Sequence, residues 1–321
     1  MKIAFASSST FGLPTLHALS GWGENFVCVI TQPARPAGRG RRLALNPVKR
    51  FAMDNGLKVF QPSNINEASA VRKLRRFQPE LMLVIAYGQI LSRKVLDIPK
   101  NGAINLHASL LPKYRGAAPI NWAIIKGEAD TGLSIIRMTE RMDAGDLLAQ
   151  QPVHITHTET AGQLRDRLAR RGADLVVDVI HDITLGHVED RPQDESRASY
   201  APRLKKTFGR IAWDKPAREL VNFIRGVTPW PTAFTFIKLR RGKPACRIVV
   251  DRAAVAAGSV PKDAKNGRVL SADARGIHVS TGRGVLSITN LTPAGSRSMT
   301  AADFLNGYPL KVGDRFMETP S

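Results

Sequence analysis

Apolar positions follow two rhythms along the first 185 residues. Short, mostly apolar runs cover residues 2–6, 26–31, 81–86 and 103–107; 81–86 is unbroken, typical of a strand buried on both faces. Residues 133–138 and 147–155 read as two further strands. Between these lie stretches with helical spacing: 12–19, a segment opening at Pro47, 66–77, 117–125 and 160–183. Proline suits the first turn of a helix, where its missing N–H costs nothing. In 66–77, Val71, Leu74 and Phe77 share one face while Arg72, Lys73, Arg75 and Arg76 take the other. Alternating strands and helices predict an α/β domain with a mostly parallel sheet covered by helices on both faces.

The rhythm breaks at residues 188–206, which are polar and poor in apolar side chains, and which predict a linker. A helix over 216–226 follows, then short strands over 233–239, 245–250, 267–270, 276–280 and 285–291. Glycine turns at Arg241-Gly242, Asn266-Gly267 and Gly282-Arg283-Gly284 punctuate them. Many short strands with glycine turns suggest a small β-barrel of OB type. The expected organisation is a first domain over 1–187, a linker over 188–206 and a β domain over 207–321.

Charge sharpens this picture. The 321 residues carry 47 Lys and Arg against 27 Asp and Glu, a net +20, which points to a polyanionic partner. Residues 206–321 hold 19 of those cations and 8 acids, a net +11, against 28 and 19, a net +9, in residues 1–205. The β domain is therefore the denser in charge and a plausible nucleic-acid module. Cys28 and Cys246 are the only cysteines, which excludes a disulfide scaffold or a Cys-rich zinc module. The histidines are scattered, and no metal site is expected. No apolar run approaches the roughly 20 residues of a membrane span, and none resembles a signal peptide. A cytoplasmic monomer is the expectation.

Three segments carry candidate chemistry. The first runs from Asn105 to Pro119, after a buried strand, where parallel sheets bind ligands. Asn105 and His107 are two apart on an extended segment, so their side chains share a face. An amide donor beside an imidazole can hold a carbonyl oxygen as it gains negative charge. The competing reading is an Asn and a His closing a strand, satisfied by loop backbone. In the second, Arg141-Met142-Asp143-Ala144-Gly145-Asp146, either acid could supply a carboxylate to His107 and set its protonation state. An Asx-type turn would need the same residues. The third, residues 35–42, places Arg35, Arg39, Arg41 and Arg42 in a glycine-containing loop that could engage phosphates or simply be solvated. Gly38-Arg39-Gly40 lacks the third glycine of a dinucleotide fingerprint, and no nucleophile elbow surrounds Ser109, which argues against dehydrogenase and serine-hydrolase chemistry.

Asn105-Leu106-His107 running into Ser109-Leu110-Leu111-Pro112-Lys113-Tyr114-Arg115-Gly116-Ala117-Ala118-Pro119 resembles the signature of folate-dependent formyltransferases. Gln32-Pro33-Ala34-Arg35-Pro36-Ala37-Gly38-Arg39-Gly40 resembles a tRNA-inserting loop of that family. Arg210-Ile211-Ala212-Trp213, Pro229-Trp230-Pro231 and Thr292-Pro293-Ala294-Gly295 extend the resemblance over nearly the whole chain. It implies a Rossmann-like catalytic domain, a linker and an OB-like barrel that contacts tRNA. It implies transfer of a formyl group from 10-formyltetrahydrofolate to the amino group of a methionyl initiator tRNA, without a metal. Carried over by motif, the catalytic residues would be Asn105, His107 and Asp143. Ser109, Leu110, Leu111 and Pro112 would line the folate site, with Tyr87 and Gly88 in the loop beside the pterin. Arg39 matches the tip of the insertion loop and, with Arg41 and Arg42, would meet tRNA. Two departures stand out: Met142-Asp143-Ala144-Gly145 where the family usually has Leu-Asp-Thr-Gly, and Ser7-Ser8 where it has Gly-Thr. Rival acceptors are an amino sugar nucleotide or water, and a catalytically idle RNA-binding scaffold is a rival of another class. The cationic loop and basic β domain favour tRNA, and the intact Asn105, His107 and Asp143 argue against idleness.

Overall fold

The computed structural model describes residues 1–21, 26–34, 36–37, 42–43, 46–239, 244–261 and 263–320. The chain opens with β1 (Ile3–Ser7), buried at all five positions. It continues through α1 (Leu13–Ser20), β2 (Phe26–Ile30), a short hairpin of β3 (Pro36–Ala37) and β4 (Arg42–Leu43), α2 (Pro47–Asp54), β5 (Val59–Phe60) and α3 (Ala68–Arg76). Next come β6 (Leu81–Ile85), also buried throughout, α4 (Arg93–Leu96), β7 (Ala103–His107), β8 (Arg115–Gly116) and α5 (Pro119–Ile125). β9 (Asp130–Arg137), β10 (Leu147–His154), the long α6 (Ala161–Leu185) and β11 (Tyr200–Ala201) follow. The remainder is α7 (Ala217–Gly226), β12 (Ala233–Ile237), β13 (Cys246–Ala256), β14 (Val269–Asp273), β15 (Gly276–Ser280), β16 (Val285–Pro293), β17 (Met299–Thr300) and α8 (Ala301–Gly307).

Packing divides the chain into two units. The first comprises Met1–Pro119, Asp130–His154 and Arg165–Ala201; the second comprises Ile120–Ala129, Ile155–Leu164 and Pro202–Ser321. The first is built on a seven-stranded sheet in the order β10-β9-β7-β6-β1-β2-β5. β5, β2, β1, β6 and β7 run parallel, and β9 is antiparallel to both its neighbours, so the sheet is mostly parallel as expected. The chain steps outward from β1 to β2 and β5, then returns to place β6 on the other side of β1. That reversal leaves a crevice at the carboxyl ends of the strands, the usual ligand position in such sheets. α3 buries Ala70, Val71 and Leu74 and exposes its arginines and lysine, as its spacing requires. The α2 cap Asn46 accepts from Val48 N (2.9 Å) and donates to Thr31 Oγ1 (2.8 Å), tying the helix start to the end of β2.

Residues 188–201, polar in the way of a linker, fold back into the first unit. Arg191 exchanges both backbone hydrogen bonds with Leu147 (2.7 and 3.0 Å), and β11 pairs in parallel with β8. Most of their side chains are exposed, as their polarity suggests, but Gln193 is buried and Ala201 fully so.

The second unit carries an antiparallel sheet in the order β12-β13-β16-β15-β14, with β17 also on β16. β13 runs to Ala256, longer than its apolar pattern suggested, and its register shifts after Val250 and Arg252, which lets a long strand bend. Segment 314–317 bonds to both ends of the strand path. Met317 exchanges backbone hydrogen bonds with Phe236 of β12 (2.7 and 2.9 Å). Phe316 N donates to Gly267 O (2.8 Å), and Val269 N, opening β14, donates to Asp314 O (2.7 Å). Phe316 is buried and stacks on Trp213 with ring centroids 5.7 Å apart.

Candidate active site

β7 sets the first two residues. Leu106 packs on α6 at Gly172, where an added Cβ would lie 2.6 Å from Leu106 Cδ2. Strand alternation then turns Asn105 and His107 to the opposite face of the sheet. Val84 of β6 pairs with Asn105, so the loops after β6 and β7 emerge side by side. Among the described residues the Asn105 carboxamide has no hydrogen-bond partner, leaving both its donors available to a ligand.

The segment after β7 is pinned from below. Ser134 Oγ of β9 donates to Ser109 O (2.7 Å) and accepts from Leu111 N (3.0 Å), and Gln150 Nε2 of β10 donates to Leu111 O (2.9 Å). Ser109 Oγ donates to Lys113 O (2.6 Å), so this hydroxyl shapes the turn. Leu110 lies against Gly132, where an added Cβ would be 2.5 Å from its Cδ2.

His107 is 6% exposed, and its Nε2 lies 3.0 Å from the Tyr114 carbonyl oxygen. A carbonyl only accepts, so Nε2 carries the proton and Nδ1 can offer an N–H only when the ring is an imidazolium. Asp143 Oδ2 lies 3.7 Å from Nδ1, too long for a hydrogen bond but within ion-pair range, and it accepts from Gly116 N at 2.8 Å. Asp143 sits in the turn between β9 and β10. Of the two acids in that turn, Asp143 faces His107 while Asp146 is exposed. Gly145 has no room for a side chain, because a Cβ there would run into Arg137 O. Non-glycine residues with positive φ gather here: Ala86 (49°), Tyr114 (61°) and Asp143 (51°). Such conformations persist where surrounding contacts impose them, and they concentrate at functional sites.

The loop after β6 is also braced. Gln32 Nε2 donates to Tyr87 O (2.8 Å), and Gln89 links to Ile65 N (2.8 Å) and to the carbonyls of Pro62 and Ser63. Gly88 has φ +85° and faces the Gln32 amide, where a Cβ would be 2.6 Å away. Tyr87 is 1% exposed with its ring in the core; burial pushes its phenol up to about 12, and its hydroxyl has no hydrogen-bond partner among the described residues. Tyr87 thus offers a ligand only backbone. Ile90 beside it is 72% exposed. Arg39 and Arg41 lie outside the described residues, and Arg42 is described as backbone alone, in β4.

One cluster was not anticipated. Arg115 is 1% exposed and gives Nε and Nη2 to Gln193 Oε1 (3.2 and 2.7 Å) and Nη1 and Nη2 to Glu195 (2.9 and 3.0 Å). Hydrogen bonding from Arg115, ahead of the opposing cost of burial, holds the Glu195 carboxyl below its usual range, and the same bond raises Arg115. Gln193 Nε2 in turn donates to Asp143 O (2.9 Å) and Gly145 O (2.7 Å). A glutamine in a polar run carries no sequence signal for this. Among the described residues no group of three or more His, Cys, Asp or Glu could hold a metal ion. No described helix is long and apolar enough to cross a membrane.

Residues 1–180 match the family described as formyl transferase, and residues 203–309 match the formyl transferase C-terminal domain. The chain belongs to the formyl transferase family. Methionyl-tRNA formyltransferase of Moorella thermoacetica is 41% identical over 314 residues, covering 98% of each chain. That of Halorhodospira halophila is 44% identical over 313 residues, again 98% of each. Among solved structures, HypX from Aquifex aeolicus in complex with tetrahydrofolic acid superposes with TM-score 0.62 at 16% identity, over 97% of this chain and 48% of that one. This chain therefore spans about half the length of HypX. WlaRD, a sugar 3N-formyl transferase crystallised with dTDP and 5-N-formyl-THF, gives TM-score 0.63 at 17% identity over 92% and 99% of the two chains. At these identities the likeness is one of fold.

Proposed function

We propose that this chain transfers the formyl group of 10-formyltetrahydrofolate to the amino group of methionyl initiator tRNA. The observation that carries the reading is the convergence of Asn105, His107 and Asp143 at the carboxyl end of β7, within a family whose full-length relatives are methionyl-tRNA formyltransferases. The residues present fit a folate. The 86–91 loop turns its backbone outward through Ala86 and Gly88, Ile90 offers apolar surface, and the Asn105 amide is unpaired among the described residues. Tyr87 and Gly88 would meet the pterin through backbone, and Ser109, Leu110, Leu111 and Pro112 would form the wall opposite.

The donor supplies an activated formyl carbon. Asn105 donates its amide N–H to the formyl oxygen as the attacking amine pushes charge onto it. His107, as an imidazolium with Nε2–H held by Tyr114 O, adds a second donor from Nδ1. Fixed donors of this kind are each worth about 10²–10³ in rate. Asp143 is the counter-ion of that ring and, through water, accepts the proton the amine loses. The amine nitrogen gains the C–N bond, and the folate nitrogen leaves with the electron pair of the bond that breaks and takes up the proton that Asp143 received from the amine.

The reading takes 1–187 as the catalytic domain, 188–206 as the connection and 207–321 as an OB-like tRNA-binding domain of a cytoplasmic monomer. Support for the barrel comes from the bent β13 and from segment 314–317 bonding both edge strands. Support for tRNA comes from the net +11 of residues 206–321. Arg39, Arg41 and Arg42 would contact the acceptor arm. Incubation with 10-formyltetrahydrofolate and methionyl initiator tRNA should yield formyl-methionyl-tRNA. Release of formate alone, or formylation of an amino sugar nucleotide in its place, would overturn the reading.

A further inference from the structure

We propose that Gln193 is a positioning residue for the transfer step, holding the Asp143 turn so that its carboxylate faces His107. The proposal rests on the formyl-transfer reading above. Its ground is a closed ring of hydrogen bonds within the first unit. Gly116 N donates to the Asp143 carboxylate, Gln193 donates to the Asp143 and Gly145 carbonyls, and Arg115, the residue before Gly116, donates twice to Gln193 Oε1. The ring therefore starts and ends on adjacent residues of β8.

Every hydrogen-bonding site on the Gln193 amide is used: two lone pairs take the guanidinium and both N–H groups take carbonyls. Gln193 is 9% exposed, and an amide is the only common side chain that can receive from a guanidinium and give to two carbonyls at once. This matters because Asp143 holds φ +51°, a conformation that needs support from outside the turn. Gly145 supplies the second anchor, where close approach to Arg137 O already excludes a side chain. Arg115 brings rigidity to the hub, because a buried guanidinium is costly unless its donors are met, and here Gln193 and Glu195 meet them. A shift of about 1 Å in a group aimed at reacting atoms can cost on the order of 10²-fold in rate.

The bland alternative is that Gln193 merely satisfies Arg115. Gln193→Glu separates the two, since it keeps an acceptor for the guanidinium and loses both donors to the turn. Gln193→Glu and Gln193→Leu are each expected to lower kcat by about 30- to 100-fold, with KM for folate and for tRNA within about threefold. The ring 15N shifts of His107, recorded without substrates, should move in both variants toward those of Asp143→Asn. If Gln193→Glu keeps wild-type kcat and wild-type His107 shifts, Gln193 is only a partner for Arg115 and the proposal fails. Should Gln193→Leu not fold, Gln193→Glu carries the same comparison. Wild-type protein that forms no formyl-methionyl-tRNA would sink the functional reading alone, and the His107 shifts would still decide the positioning role.

Discussion

Asp143→Asn tests the core of the site with the least disturbance. Asparagine tolerates φ near +50° as aspartate does, and its amide oxygen can still accept from Gly116 N, so the turn should survive. What disappears is the negative charge 3.7 Å from His107 Nδ1, between side chains 7% and 16% exposed. Opposite charges at this separation and an effective permittivity near 20 interact by about 4 kcal/mol. At about 1.4 kcal/mol per tenfold, that bounds the rate loss near 10³. Removal of the proton acceptor acts on the same step, so the expected fall in kcat is about 10²–10³, with each KM within about threefold. Initial rates with methionyl initiator tRNA and 10-formyltetrahydrofolate, each varied in turn, measure it. Because the two groups share the charge pair while proton acceptance belongs to Asp143 alone, His107→Ala combined with Asp143→Asn should lose less than the sum of the two single losses. Retention of more than a tenth of kcat by Asp143→Asn, or strictly additive losses in the double variant, would refute the charge-pair reasoning.

Other perturbations probe separate features. Phe316→Ala removes a buried ring stacked on Trp213 in the segment bonding β12 and β14, and should cost about 3–5 kcal/mol in urea unfolding; a loss below about 1 kcal/mol would mean that the segment is not part of the core. Glu195 has a folded carboxyl pKa lowered by Arg115, so its contribution to stability is whole above the unfolded glutamate value near 4.5 and fades as pH falls through the lower folded value. The midpoint of thermal unfolding should therefore drop more steeply below pH 4.5 in wild type than in Glu195→Gln, and equal slopes would count against the pair. Arg39→Ala should raise KM for tRNA and reduce the logarithmic salt slope of tRNA binding by about one; an unchanged slope would make the loop a solvated one.

The parallel sheet was legible because it is written in the apolar runs themselves. Residues 81–85 and 103–107 need no partner to identify them, since a strand buried on both faces has few alternatives. Asn105 and His107 were legible for a related reason: spacing of two on such a strand fixes a common face. The second unit was legible as β structure but not in its ends. Segment 314–317 pairs with strands on either side through one or two residues each, too short a stretch to leave a period in the sequence.

Which acid faces His107 was readable only through resemblance. Asp143 and Asp146 stand at equal footing in the sequence, and the choice between them is made by Gly116 N, a backbone donor 27 residues away. Gln193 shows the same limit more sharply. Its polar neighbours suggested a solvated connection, yet its partners are two backbone carbonyls some 50 residues earlier and the guanidinium of Arg115. Side-chain type and spacing reveal which groups can do chemistry. The groups that hold them are read out by backbone carbonyls and N–H groups, which every residue but proline possesses and no sequence pattern distinguishes. For this fold, then, a motif can nominate the reacting residues, whereas the precision of their placement depends on contacts to be sought among residues that look like linker.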